Sequence, residues 1–151
     1  MALQTYGPRP GSTRAASPWA TASEDEHLRV AVGWGLNPDE DATYFMYAGE
    51  HDPGKGYNAT YRVPENDAFW SITVYGDDGY MKCENVILNS SNAKMNPDGT
   101  FTVFFGSKAL CGDAPNRLDV TPGWNLVLRV YRPGKSVSDG TYGLPAAKPV
   151  K

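Results

Sequence analysis

Ala68-Phe-Trp-Ser-Ile-Thr-Val-Tyr75 decides how this chain is read. Aromatic and β-branched side chains fill the run, which suits a pleated, half-buried surface. In an extended strand Trp70, Ile72 and Val74 share one face, and Phe69, Ser71, Thr73 and Tyr75 share the other. Gly76-Asp-Asp-Gly79 supplies a turn directly afterwards. The same period of two recurs outward along the chain. Strands are expected at Thr43–Ala48, at Tyr57–Val63, at Tyr80–Cys83, at Val86–Leu88, at Phe101–Phe105 and at Asn125–Tyr131, with weak pairing at Leu118–Val120. In Tyr57–Val63, Tyr57, Ala59, Tyr61 and Val63 alternate with Asn58, Thr60 and Arg62. Turns of known chemistry separate the runs: Asn96-Pro-Asp-Gly99, where proline sets φ and glycine takes positive φ, then Pro122-Gly123 and Pro133-Gly134.

Composition agrees with this pattern. The chain has 151 residues, with 16 glycines and 12 prolines, more breakers than a helical bundle carries. Its nine Tyr, five Phe and four Trp stand against two Cys and two His, so a cysteine-rich zinc scaffold and a histidine-rich metal centre are excluded. Fourteen basic and seventeen acidic residues give a net charge of −3 with no basic stripe, which speaks against nucleic acid. No apolar run approaches the ~20 residues of a membrane span.

Ser23-Glu-Asp-Glu26 reads as a capping box, and Leu28, Ala31 and Val32 follow at helical spacing, so one helix is expected over about residues 24–35. Residues 1–22, rich in Gly, Pro, Ser and Thr, lack the apolar stretch of a signal peptide and read as an extended or disordered arm ahead of a single domain, 23–151. A cytoplasmic location follows as the expectation. Cys83 and Cys111 fit a disulfide or two free thiols equally well. The fold expected is all-β: a jelly-roll-like antiparallel β-sandwich with one short N-terminal helix.

Several blocks resemble the DUF1214 family: Phe69–Tyr75 with its Asp-Asp-Gly-Tyr turn, Asn96–Val103, and Gly123-Trp-Asn-Leu-Val-Leu-Arg-Val-Tyr-Arg-Pro133, with Asp139–Tyr142 and Pro145 behind. The segment from Arg29 to Tyr44 is similar to the family's entry, so the resemblance extends over about residues 26–150. It implies a jelly-roll sandwich, usually found C-terminal to a second domain, DUF1254, in bacterial proteins that are often exported. It carries no agreed activity and no catalytic residues. The chain is expected to be a stand-alone copy.

The chemical motifs are thin. Gly49–Gly56 misses a phosphate-binding loop because Gly56 stands where a hydroxyl is needed and a strand follows. His27 and His51 have no nucleophile elbow to serve. Asp67, Asp77, Asp78 and Asp113 could supply a carboxylate pair for glycan or ester chemistry, but loops and turns favour Asp anyway. No catalytic residue, metal ligand or cofactor is assigned. Trp70 and Trp124 are expected in the core. The outward set is more informative: Arg62, Ser71, Thr73, Tyr75, Arg129 and Tyr131 would converge on one sheet face if their strands are neighbours. Such a face suits a small polar, carboxylate or carbohydrate ligand. The primary expectation is thus a non-catalytic ligand-binding or interaction module. An enzyme working through carboxylates and tyrosines such as Asp67 and Tyr75, and a structural protein assembling as a homo-oligomer, are the alternatives.

Overall fold

The computed structural model describes residues 40–48, 52 and 54–150. The expected arm, the helix over 24–35 and both histidines lie outside these residues, as does most of the 49–53 loop.

Among the described residues, eight strands form two four-stranded sheets. The first has the order β1 (Ala42–Ala48), β7 (Asn125–Tyr131), β3 (Trp70–Tyr75), β4 (Ile87–Asn89), all antiparallel. The second runs β6 (Arg117–Leu118), β5 (Thr100–Phe105), β2 (Tyr57–Arg62), β8 (Lys148–Pro149), antiparallel except for the β5–β6 pair. The chain passes back and forth between the sheets, and β7 inserts between β1 and β3 in a jelly-roll-like sandwich. Two single-turn helices, α1 (Lys108–Cys111) and α2 (Lys135–Ser138), interrupt the connections.

Alternation decides which residues fill the space between the sheets. Trp70, Ile72 and Val74 from β3 and Leu126, Leu128 and Val130 from β7 face Tyr57, Ala59 and Tyr61 from β2 and Phe101, Val103 and Phe105 from β5. Two aromatic stacks bridge the layers: Trp70 on Phe101 at 4.4 Å and Phe105 on Trp124 at 4.8 Å. Both tryptophans are core residues, as the alternation predicts.

Three expectations are corrected. Tyr80–Cys83 is no strand: Gly76 donates its amide from the turn to the Tyr80 carbonyl at an accepted distance of 2.9 Å, and the following residues loop out with Tyr80 and Met81 exposed. Residues 106–117, which the sequence presents as a loop, contain α1. The pairing expected at Leu118–Val120 is made by Arg117 and Leu118, parallel to β5. The C-terminal segment also contributes to the sandwich. Val137, Tyr142, Leu144 and Ala147 join the core, and β8 extends the second sheet beside β2.

Candidate functional site

The outward positions of β3 and β7 are direct neighbours. Ser71 pairs with Arg129, Thr73 with Val127 and Tyr75 with Asn125, while Tyr44 of β1 lies on the far side of Arg129 and Asn89 of β4 on the far side of Ser71. The outer face of the first sheet therefore carries a row Tyr44–Arg129–Ser71–Asn89. Arg129 donates from one terminal nitrogen to Thr73 Oγ1 at 3.2 Å and from the other to Tyr75 Oη at 2.8 Å. Its guanidinium also lies 5.8 Å from the Tyr75 ring centroid. Arg129 is only 9% exposed and Tyr75 only 2%, although neither belongs to the core between the sheets. The two hydroxyls help to hold the guanidinium in one orientation.

At the β1-paired end of the same face Tyr131 stacks on Phe69, with centroids 4.3 Å apart and planes 19° from parallel. Phe69 is 45% exposed, so this stack is an aromatic surface beside the cation.

Five of the six residues singled out from sequence thus share one sheet face: Ser71, Thr73, Tyr75, Arg129 and Tyr131. Arg62 does not. It lies on β2 in the opposite sheet, exposed, with its guanidinium 5.8 Å from the Tyr142 ring and 3.5 Å from the Thr141 carbonyl oxygen. Alternation along β2 gives the face on which Arg62 lies but not the sheet the strand joins.

The candidate carboxylates are dispersed. Asp67 precedes β3 and Tyr75 ends it, so the whole strand, ~17 Å at the usual rise, lies between them. Asp78 pairs with Lys82, and Asp113 with Lys108 at 2.7 Å. Among the described residues no three His, Cys, Asp or Glu side chains come together as metal ligands. Cys83 and Cys111 are both free thiols. Burial pushes the Cys111 thiol above its ordinary value, with the Arg117 charge pulling weakly the other way. No helix among the described residues is long and apolar enough to cross a membrane.

A second polar arrangement escaped the sequence reading. On the outer face of the other sheet, Thr60 and Thr102 share a hydroxyl–hydroxyl hydrogen bond of 2.8 Å. Asn96 Nδ2 donates to Thr102 Oγ1 at 3.1 Å and to Thr100 Oγ1 at 2.9 Å, and the Thr100 hydroxyl donates to Asp98 at 2.6 Å. The alternation in Tyr57–Val63 already placed Asn58, Thr60 and Arg62 together; the register with β5 completes the set.

Comparison with known proteins follows the fold. The model of a family described as "Protein of unknown function (DUF1214)" matches residues 41–135. Among solved structures, the VPA0106 protein from Vibrio parahaemolyticus superposes with a TM-score of 0.68 at 26% identity, covering 81% of this chain and 34% of that one. An uncharacterised protein from Burkholderia cenocepacia superposes with a TM-score of 0.60 at 20% identity, covering 80% of this chain and 33% of that one, a likeness of fold. The chain spans about a third of the length of each. No curated protein matches it.

Proposed function

The chain belongs to the DUF1214 family, and from that premise we propose that it is a non-catalytic binding module that takes a carboxylate-bearing ligand on the outer face of its first sheet. The family's function is unknown, so the reading rests on site chemistry. The observation that carries it is the Arg129 guanidinium, oriented by Thr73 Oγ1 and Tyr75 Oη on an outward sheet position. Planar guanidinium matches carboxylate geometry, and a cation that is already oriented loses less freedom on binding. Ser71 lies beside it, with Asn89 one strand further along the row, and the Phe69–Tyr131 stack offers an apolar surface to the body of a ligand.

Thermal denaturation with a panel of small acids and neutral sugars tests the proposal. Citrate, succinate or galacturonate should raise Tm in a dose-dependent way while glucose does not. Arg129→Gln should lose that shift. If no acid raises Tm, or if Arg129→Gln responds as the native chain does, the reading fails.

A further inference from the structure

Beyond that site, we propose that the outer face of the second sheet is a separate docking surface for an acidic polysaccharide. Three observations lead there. The outward positions of β2 and β5 are Asn58, Thr60 and Arg62 and Thr100, Thr102 and Phe104, with no carboxylate among them. Thr60 and Arg62 are exposed, so this face is open to solvent. The central hydroxyls are held in a chain of hydrogen bonds running Asp98–Thr100–Asn96–Thr102–Thr60.

That chain sets the chemistry. Asp98 accepts the Thr100 backbone amide and hydroxyl, so the carboxylate that anchors the row is turned into its own turn. Hydrogen-bonded partners polarise one another, and fixed hydroxyls suit a ligand made of hydroxyls. Two cations border the row. Arg62 pairs across the sheet with Thr100, and Lys148 of β8 pairs with Asn58. At the other edge Arg117, opposite Phe104, is ion-paired with Asp119, which offsets its charge. Phe104 places an aromatic ring beside Asn58, on the side where a sugar ring could lie flat. Local positive charge, ordered hydroxyls and one aromatic, on a chain of net charge −3, match a uronate-containing glycan better than a neutral one.

Affinity electrophoresis of the full chain in gels containing polygalacturonate, dextran or single-stranded DNA is the test. Polygalacturonate should retard the native chain, salt should weaken the retardation, and dextran should have little effect. Lys148→Glu and Phe104→Ala, each verified as folded by its thermal transition, should weaken apparent binding at least fivefold. Lys82→Glu makes the same change in net charge on the turn that follows β3 of the first sheet, and should leave binding as it was. The proposal falls if polygalacturonate gives no retardation, if dextran or DNA retards as strongly, or if Lys82→Glu weakens binding as much as Lys148→Glu.

Discussion

At the scale of single residues, the buried tyrosines separate into those whose hydroxyl is used and one whose hydroxyl is not. Tyr142 donates to the Arg62 carbonyl at 2.8 Å, and its ring packs edge-on against Phe45 at 5.2 Å. Tyr61, only 1% exposed, has no hydrogen-bond partner for its hydroxyl among the described residues, and desolvation by burial drives its phenol far above the ordinary range. A buried polar group without a partner costs free energy that a phenyl ring does not. Tyr61→Phe is therefore expected to leave stability unchanged or raise it, by up to about 1 kcal/mol. Tyr142→Phe should lower it by roughly 0.5–1.5 kcal/mol through the lost hydroxyl bond. Urea denaturation of both variants checks the pair, and a clear loss in Tyr61→Phe would contradict the assignment. The contrast was out of reach of the sequence, because β2 alternation makes Tyr61 inward without saying whether a carbonyl waits there. Trp70 was legible: a tryptophan on the apolar side of the most strand-like run, it stacks on Phe101 in the core. Trp70→Ala should cost about 3–5 kcal/mol, the usual range for emptying so large a buried volume.

At the scale of elements, α2 depends on a distant carboxylate. Its N-cap is Gly134, which has no side chain to satisfy the first amides. Glu65, from the β2–β3 connection, accepts the Ser136 amide at 2.9 Å, and its backbone carbonyl accepts the Gly134 amide at 2.7 Å. A Cβ at Gly134 would collide with the Glu65 side chain, which would have to swing aside and give up its bond to Ser136. This small junction fixes the start of the segment that delivers Val137, Tyr142, Leu144 and Ala147 to the core. Glu65→Ala and Gly134→Ala should both lower Tm and speed amide exchange at Val137 and Tyr142, while exchange in β3 and β7 changes less. Uniform acceleration across the molecule would show that the segment has no independent stability. Strand positions were readable to within one or two residues wherever alternation was strong, as at Asn125–Tyr131. They were misread at Tyr80–Cys83, where turn bonding took the backbone groups a strand would have used.

At the scale of the whole molecule, exposed carboxylates give the fold a common acid sensitivity. Asp52 is held below its ordinary value first by the Gly54 amide, Asp78 by Lys82, Asp98 and Asp139 by the hydroxyls of Thr100 and Thr141, and Glu65 by the Ser136 amide. Each folded pKa lies below the unfolded one, so each stabilises the fold above the unfolded value and loses that contribution as pH falls through the folded value. Tm should be nearly constant from about pH 7 to pH 5 and fall below about pH 4, where ordinary carboxylates protonate. A Tm that is flat down to pH 3 would contradict this. The sequence by itself determined the all-β class, the inward faces of β2, β3 and β7 and the aromatic core, because side-chain alternation is a local property of extended backbone. It also placed Thr73, Tyr75 and Arg129 on outward positions. That β3 and β7 are neighbours and that β2 belongs to the opposite sheet is fixed by the assembled fold. Strand order depends on which surfaces bury the most apolar area together, and that is summed over the whole chain. The same summation joined Ser71, Thr73, Tyr75, Arg129 and Tyr131 on one face and assigned Arg62 to the other.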